Sequence, residues 1–464
     1  MVPDFFTEGP ARVTPAIRSL FSRPARASLA ALFAIAWPVV VGRLGITAMG
    51  LADAVVVGRF SVEQLSFHTL GWAPTQIVMV TGMGLLGGVQ VMTARAIGAG
   101  DLVGAGAVLR RGLVYALLLG VASTLLLVAG GAFFLRQTGV SANLVDGARL
   151  PLLLFSASMT PTLMFVAASS FIEGQGKPMA GTISMWLANI VNLALDLLLV
   201  PGSFGLPALG AVGAGFATLA ARTAMLALLL AWIFSRPEAR AMGLFQPPRA
   251  EPERALEQIQ IGLGAGASNF VEVGAFSGMS IFAGWVGATT VAAWAVVVNV
   301  ASIVFMIPLG LAAASAVLVG QAVGAEDPAA SRLHARSALA LAAAFAVLCW
   351  IAVGVFPNAI TQFYVRDQGL IAMAAPALAL SSLFFLPDAL QVVLAYTLRA
   401  RGDVLAPSVT HITSYALVML PLAYVLAWSL HLGLFGIVWS VIAASFLSAA
   451  LLIGRYLFVT SRSR

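Results

Sequence analysis

The sequence predicts an all-α integral membrane protein of about 12 transmembrane helices, arranged in two pseudo-symmetric six-helix lobes. Composition predicts the membrane: 60% of the 464 residues are hydrophobic and only 9% are charged, whereas a soluble chain carries roughly 25% charged residues. A repeat between the two halves of the chain predicts the lobes. Because a helix that crosses the bilayer needs about 20 apolar residues, the chain has no room for a large soluble domain beside the helices.

The apolar runs divide into twelve predicted spans. These spans cover residues 30–57, 66–93, 112–134, 148–170, 179–200, 209–234, 258–285, 289–320, 337–356, 371–397, 405–430 and 434–459. The longest connection, 235–257, is rich in Pro and charged residues, and we expect it to be a cytoplasmic linker. It would join an N-terminal lobe of residues 30–234 to a C-terminal lobe of residues 258–459. Residues 1–29 are expected to form a cytoplasmic N-terminal segment, and residues 460–464 a cytoplasmic tail.

The basic residues predict the orientation in the membrane. Most of the 25 Lys and Arg residues fall on the side of the N-terminus, whereas Arg59, Arg136, Arg149 and Arg366 fall in or beside loops of the other side. Cytoplasmic loops carry the excess of Lys and Arg, so we expect both termini in the cytoplasm and the chain in a bacterial inner membrane. The same rule accounts for the net charge of +7 without a nucleic-acid partner.

A short motif recurs at an interval of 226 residues, as from Asp101 to Asp327. The interval relates residues 98–101 to 324–327, Gly84 to Gly310, Arg110 to Arg336, and Gly176 to Gly402. Since each half holds six spans, both halves enter the membrane in the same orientation, and the pseudo-twofold axis is expected along the membrane normal. Transporters built from parallel repeats bind their substrate near the interface of the repeats.

Four of the 18 acidic residues fall inside predicted spans: Asp53, Asp196, Glu272 and Asp388. A charged carboxylate at the bilayer centre costs about 3 kcal/mol on insertion scales, so each is expected to face a wet cavity or a partner. A role in binding a cation or a proton is favoured over a purely structural hydrogen bond or ion pair between helices. For Asp53, which lies nearest the end of its span, an interfacial position is the alternative.

Polar neighbours accompany two of these acids. Asn192 and Asp196 are four residues apart and share one helix face, where an amide can hold the carboxyl or help to coordinate a cation. Thr218 and Arg222 have the same spacing in the sixth span. Arg222 is a candidate counter-charge for Asp196 or Glu272, and the sequence does not choose between them.

The signatures of other functional classes are missing from the sequence. No G-x-x-x-x-G-K-[ST] phosphate loop occurs, so ATP-driven pumping is not expected. The four His residues have no metal-ligand spacing, and the spans contain no catalytic constellation of His, Cys or Ser. We therefore expect neither an enzyme nor a cofactor, and no metal other than a coupling Na⁺. A channel is a further alternative, although the repeat and the unevenly placed acids favour alternating access.

Several segments resemble the MATE (multidrug and toxic compound extrusion) family. The segment AWPVVVGRLGITAMGLADAVVVGR resembles the first helix of the family, with Pro38 at its helix-bending position and Asp53 at its cation-linked position. GLLGGVQVMTARAIGAGD and GLAAASAVLVGQAVGAED resemble the paired ends of the second and eighth helices. NIVNLALDLLLVPGSFGLPALGAVGAGFAT, SNFVEVGAF and LPDALQVVLAYTLRARGD resemble the fifth and sixth, the seventh, and the tenth helices. The resemblance assigns cation or substrate binding to Asn192, Asp196, Thr218, Glu272 and Asp388.

The resemblance implies a multidrug efflux antiporter that exports amphipathic organic cations in exchange for H⁺ or Na⁺ by alternating access. We expect it to work as a monomer in the lipid bilayer. The alternative within the same superfamily is a flippase for lipid-linked oligosaccharides. The acidic character of most of the buried charges disfavours its anionic pyrophosphate substrate.

The branch of the family and the coupling ion follow from particular residues. Glu272 and Asp388 resemble the NorM-like branch and would form its Na⁺ site, whereas Asp196 resembles the proton-linked pair of the DinF-like branch. Phe384 stands one turn before Asp388, where some NorM-like proteins have Tyr, and Trp294 and Ala295 replace residues that are commonly polar in the family. Both departures weaken a Na⁺ site, so H⁺ is the favoured ion.

Overall fold

The computed structural model describes residues 23–137, 141–246 and 251–462, and among these residues no strand occurs. Twelve long helices, α1–α12, follow one another along the chain. They are α1 (Arg23–Phe60), α2 (Val62–Gly98), α3 (Leu102–Gln137), α4 (Ala142–Gly174), α5 (Met179–Leu199), α6 (Ala211–Ser235), α7 (Pro252–Val286), α8 (Ala288–Gly324), α9 (Pro328–Val355), α10 (Gln368–Ala400), α11 (Leu405–Ser429) and α12 (Gly433–Arg462). Each predicted span lies inside one of these helices or overruns its end by a residue or two.

Among the described residues, 11 helices are long and apolar enough to cross a membrane. The helix outside this group is α7, whose 35 residues include Gln258, Gln260, Asn269 and Glu272. It packs lengthwise against α2 and also contacts α8, which buries part of this polar face between the lobes. The predicted all-α membrane architecture of twelve helices is therefore confirmed.

The helix ends extend beyond several predicted boundaries. Helix α1 begins at Arg23, α7 begins at Pro252 inside the predicted linker, and α12 continues to Arg462 inside the predicted tail. Hydropathy marks the apolar part of a helix, whereas the hydrogen-bonded helix continues beyond it. Most of the N-terminal segment (1–22), part of the linker (247–250) and the last two residues of the tail lie outside the described residues.

Equivalent pairs of helices pack together in the two halves of the described chain. Helix α3 packs on α4 as α9 packs on α10, and α5 packs on α6 as α11 packs on α12. The lobes meet where α1 and α2 face α7 and α8. Gly84 of α2 lies against Gly266 of α7, and its repeat partner Gly310 of α8 lies against Val40 of α1. A side chain at either position would push the lobes apart. This close contact explains why both halves of the repeat have a glycine there.

At one end of the bundle, which we call the cap end, α2, α4, α8 and α10 terminate and the lobes exchange two equivalent contacts. Arg95 Nε of α2 donates to the carbonyl oxygen of Ala400, the last residue of α10, at 3.0 Å. Gln321 Nε2 of α8 donates to the carbonyl oxygen of Gly174, the last residue of α4, at 3.2 Å. Donors and acceptors are both 226 residues apart. Each contact satisfies a carbonyl that a helix end leaves without a partner.

Ion pairs reinforce the cap end. They join the N-terminal lobe to the start of α7. The pairs are Arg95 with Glu257 at 2.6 Å, Arg111 with Glu251 at 3.0 Å, and Arg254 with Asp101 at 3.1 Å. The amide of Gly104, helped by Arg254, holds the pKa of Asp101 below its usual range because both groups stabilise the carboxylate. Asp101 therefore stays charged at neutral pH. Its carboxylate accepts a hydrogen bond from Gly104 in its own lobe and pairs with Arg254 of the other lobe.

The contacts between the lobes are confined to part of the bundle. In the part of the chain that the structure describes, the polar contacts between lobes run from the cap end to the middle. Near the cap end, Ser28 of α1 bonds to His334 of α9 at 2.9 Å. Near the middle, Asn269 of α7 donates to the Val80 carbonyl of α2 at 3.4 Å. Among the described residues, polar contacts thus join the lobes at the cap end and not at the opposite end.

Candidate functional site

A buried carboxyl pair lies inside the N-terminal lobe. Asp53 of α1 and Asp196 of α5 are 1% and 0% exposed, and the packing of α1 along α5 brings them together. Their carboxyls are close enough to share a hydrogen bond when one of them is protonated. Thr218 Oγ1 of α6 donates to Asp53 Oδ2 at 2.8 Å. Two carboxylates in a dry site repel each other, so this pair favours binding a proton or a cation.

Asn192 lies one turn before Asp196 and is fully buried. Among the described residues, neither amide atom of Asn192 has a hydrogen-bond partner, and neither does either carboxyl oxygen of Asp196. A buried polar atom without a partner costs about 1–3 kcal/mol, so these atoms together indicate a place for a small polar or cationic ligand. The structure therefore brings Asp53, Asn192, Asp196 and Thr218 into one site.

His68 also belongs to this site, although the sequence analysis set it aside. Its Nε2 lies 3.8 Å from Asp53 Oδ2, and the residue is 3% exposed. The ring stands edge-on to Phe155, with the centroids 5.2 Å apart. In the sequence, the histidines were considered only as metal ligands. His68 could have been recognised as an ionisable side chain inside the second predicted span.

Arg222 lies in the N-terminal lobe, within electrostatic range of Asp53. Its Nη1 donates to Ser158 Oγ at 2.9 Å, and its guanidinium lies 4.9 Å from the centroid of the Trp72 ring. The structure thus places this candidate counter-charge beside the pair formed by Asp53 and Asp196. The cation in electrostatic range of Glu272 is Arg399.

The C-terminal lobe holds the second pair of acids. Glu272 of α7 and Asp388 of α10 are both partly exposed and lie within electrostatic range of each other. Gln391 Nε2 donates to Asp388 Oδ1 at 3.2 Å, and Ser448 Oγ of α12 donates to Gln391 Oε1 at 3.3 Å. This chain of hydrogen bonds connects α12 to the acid on α10 and fixes the orientation of the Asp388 carboxyl.

Arg399 and two aromatic side chains extend this second site. Arg399 is 5% exposed, and its Nη2 donates to Ser268 Oγ, one turn before Glu272, at 2.6 Å. Arg399 lies just past the predicted tenth span, and the longer helix α10 includes it. His411 stacks edge-on to Tyr415, with the centroids 5.7 Å apart. Both rings are buried, and no hydrogen-bond partner is found for either His411 nitrogen among the described residues.

Phe384 and Trp294 are both buried apolar neighbours of the C-terminal lobe's core. Trp294 Nε1 donates to Ser280 Oγ at 3.3 Å, so its polar atom is directed to another helix. Neither side chain has an oxygen atom that could bind a cation. Glu272 and Asp388 are therefore the acids of this site, and the side chain at position 384 adds no oxygen ligand for a cation.

One further buried acid, Glu173 of α4, escaped the sequence analysis because the predicted fourth span ended one turn too early. Glu173 accepts hydrogen bonds from Gln90 Nε2 and from Ser169 Oγ, both at 3.0 Å. It lines a small cavity between α1, α4 and α5 together with Arg43, whose charge acts on it. The spacing of four residues between Ser169 and Glu173 was the signal for a polar face that continues past the predicted end.

Pro38 lies inside the continuous helix α1. Its carbonyl oxygen accepts a hydrogen bond from Thr182 Oγ1 of α5 at 2.6 Å. This contact ties α1 to α5 between the cap end and Asp53. A bend of α1 at Pro38 stays a prediction.

Comparisons with known proteins identify the family of this chain. The MatE family model matches residues 38–198 and again residues 265–425. The probable multidrug resistance protein NorM of Caulobacter vibrioides is 48% identical over 441 residues, which is 95% of this chain and 94% of that protein. A crystal structure of MATE in the bent conformation shares the fold with a TM-score of 0.86 at 20% identity, over 97% of this chain and 99% of the other.

A second solved structure shows the same fold. It is an outward-facing multidrug resistance MATE family transporter of the MOP superfamily, with a TM-score of 0.83 at 19% identity, covering 94% of this chain and 97% of the other. The family resemblance found in the sequence is thereby confirmed. Because the family model covers more than half of the chain and the Caulobacter protein matches nearly all of it, this chain belongs to the MatE family, as a transmembrane transporter related to NorM multidrug resistance proteins.

Proposed function

We propose that this protein exports amphipathic organic cations across a bacterial inner membrane in exchange for H⁺, with both termini in the cytoplasm. The description of its relatives as multidrug resistance proteins supports efflux. One observation supports the exchange of an organic cation for a proton. In the N-terminal lobe, Asp53, Asn192 and Asp196 present buried polar atoms without a partner among the described residues.

Competition for the same charges couples the two flows. A buried carboxylate is costly unless a positive charge balances it, so the site binds either a proton or an organic cation. A ligand shifts an equilibrium only by its difference in affinity for the two states. Because the two cations exclude each other at Asp53 and Asp196, the downhill entry of protons drives the exit of the organic cation.

The distribution of contacts between the lobes supports alternating access. Arg95, Gln321 and the nearby ion pairs close the cap end. The positive-inside rule predicts this end to be cytoplasmic, so a cavity between the lobes would open to the outside. Rocking of the lobes would break these contacts and expose the same sites to the cytoplasm.

In this proposal Glu272 and Asp388 form a second cation-binding site in the C-terminal lobe. Arg399 is anchored on Ser268 one turn away from Glu272 and would offset its charge while no substrate is bound. Na⁺ is the alternative coupling ion and would bind at these two acids. The apolar side chain of Phe384 supports H⁺ instead, because Na⁺ is bound by oxygen ligands.

Dye transport into everted membrane vesicles tests the proposal, with a pH gradient and a Na⁺ gradient imposed separately. The wild-type protein should respond to the pH gradient alone. Asp53→Asn and Glu272→Gln should each reduce transport at least about tenfold, which corresponds to about 1.4 kcal/mol, while still reaching the membrane. Matched controls are Asp146→Asn and Glu253→Gln, since both of these acids are exposed, and they should transport normally.

Three results would contradict parts of this proposal. Normal transport by both Asp53→Asn and Glu272→Gln would remove the site assignment. Transport driven by the Na⁺ gradient alone would replace H⁺ with Na⁺. A wild-type protein that moves no cationic dye under either gradient would refute cation export itself.

A further inference from the structure

His68 is an ionisable side chain that has no role in the exchange proposed for Asp53 and Asp196. Its Nε2 lies 3.8 Å from Asp53 Oδ2, and no hydrogen-bond partner for this nitrogen is found in the described part of the chain. The edge-on contact with Phe155 orients the ring. An imidazole nitrogen can accept a proton and then donate it in a hydrogen bond to a neighbouring carboxylate.

The charged groups around this ring come from three other helices. Asp53 belongs to α1, Asp196 reaches Asp53 from α5, and Arg222 of α6 lies within electrostatic range of Asp53; α4 presents the ring of Phe155. With both carboxyls ionised and His68 neutral, these groups sum to one negative charge. That charge complements one monovalent organic cation. One added proton brings the sum to zero without any cation.

We propose that His68 holds the coupling proton of the N-terminal lobe, and that an organic cation expels this proton when it binds beside Asp53 and Asp196. This inference rests on the proposed function and specifies the group that carries the proton. In the drug-free protein the proton resides on Nε2 and pairs with the Asp53 carboxylate.

Charge balance makes the two cations exclude each other. A proton on His68 leaves the buried groups neutral, so an organic cation would add an unbalanced positive charge, which is costly in a dry site. Entry of the organic cation therefore requires that the proton leave. On the outer side, a high proton concentration reverses this step and releases the organic cation.

The variant His68→Gln separates proton binding from hydrogen bonding. The Gln amide keeps a donor that can reach Asp53, but it cannot accept a proton at neutral pH, so only the carboxyls remain to hold one. Protons should then compete less with an organic cation. We expect the affinity for ethidium at pH 6 to rise at least about tenfold over the wild type, the change given by a shift of one pH unit. The difference between the two affinities should narrow as the pH rises to 8.

The matched control is His334→Gln, because His334 bonds to Ser28 at the cap end, away from the carboxyl pair. Its ratio of ethidium affinities at pH 8 and pH 6 should equal that of the wild type. A merely structural role of His68 would weaken binding at both pH values, and this result would overturn the proposal. A wild-type ratio in His68→Gln would overturn it as well, while leaving cation export intact. A wild-type protein that does not bind ethidium would refute both.

Nitrogen NMR of wild-type protein with labelled His rings gives a second test that needs no change at His68. Saturating ethidium at pH 6 should remove a proton from one ring. That signal should persist in His334→Gln, His411→Gln and His431→Gln, which assigns it to His68. If ethidium leaves all four rings in their original protonation states, or if the responding ring disappears with one of these variants, the proposal is overturned.

Discussion

The position of the Asp53 carboxyl depends on a hydrogen bond from Thr218. Thr218 Oγ1 donates to Asp53 Oδ2 at 2.8 Å, and both residues are buried. A hydrogen bond to a charged group contributes about 1.5–3 kcal/mol. Thr218→Val keeps the shape of the side chain and removes the donor. We therefore expect the rate of proton-driven dye export to fall about tenfold or more, measured in everted vesicles.

A matched control for this change lies five residues further along α6. Thr223 is exposed, and its hydroxyl donates to the carbonyl oxygen of Leu219 in its own helix, so Thr223→Val should export dye normally. Thr218→Ser restores the donor and should recover most of the lost rate. Equal rates for Thr218→Val and the wild type would show that this bond does not position Asp53 for exchange.

The sequence singled out the acids of both sites but neither His68 nor Arg399, and the two omissions have a common physical reason. Spacing along one helix places Asn192 beside Asp196, and the cost of burying a charge singles out Asp53. Neither rule says which helices meet. His68 reaches Asp53 only because α2 packs on α1 and α4, and Arg399 reaches Ser268 only because α10 continues past its apolar run.

At the scale of helices, the repeat has a structural consequence at the cap end. The end of α10 is capped by Arg95 from the other lobe, and the end of α4 is capped by Gln321. The interval of 226 residues in the sequence predicted that these positions would be equivalent. It did not predict the contacts, because Arg95 and Gln321 share neither charge nor length and the repeat was recognised from other residues.

The two caps differ in strength, and this difference leads to a prediction. Arg95 also donates to the Arg399 carbonyl at 3.2 Å and pairs with Glu257 at 2.6 Å, whereas Gln321 makes one side-chain hydrogen bond to the described residues of the other lobe. Arg95→Leu should therefore open the cap end more than Gln321→Leu. The readout is maleimide labelling of Ser28→Cys, a buried position between the lobes, with Cys349→Ala as background. We expect the labelling rate to rise about tenfold in Arg95→Leu, because charge-assisted bonds worth about 1.5–3 kcal/mol are lost.

The control for this prediction is Arg136→Leu. Arg136 pairs with Asp146 at 3.5 Å, and both side chains are more than half exposed, so this pair contributes about 0–1 kcal/mol. Both residues belong to the N-terminal lobe. Ser28→Cys should label at the basal rate in this variant. Unchanged labelling in Arg95→Leu would show that the caps do not hold the lobes together.

At the scale of the whole molecule, the lobes are two similar bodies joined by polar contacts at one end. Close helix packing at Gly84 and Gly310 continues the interface toward the middle. Both carboxyl pairs lie inside the lobes, and the proposed exchange requires each site to face the two sides of the membrane in turn. A rigid cap end would prevent this change, so the motion can be tested without altering either site.

Ser28→Cys combined with His334→Cys tests this motion, in a Cys349→Ala background. The two side chains touch across the lobes at 2.9 Å, and a short thiol crosslinker should join them. We expect crosslinking to abolish proton-driven dye export in vesicles and reduction to restore it, because the cap end can no longer open. The pair Arg136→Cys and Asp146→Cys joins α3 to α4 within one lobe and should export dye when crosslinked. Full export by the crosslinked Ser28→Cys and His334→Cys protein would show that the lobes do not separate at this end.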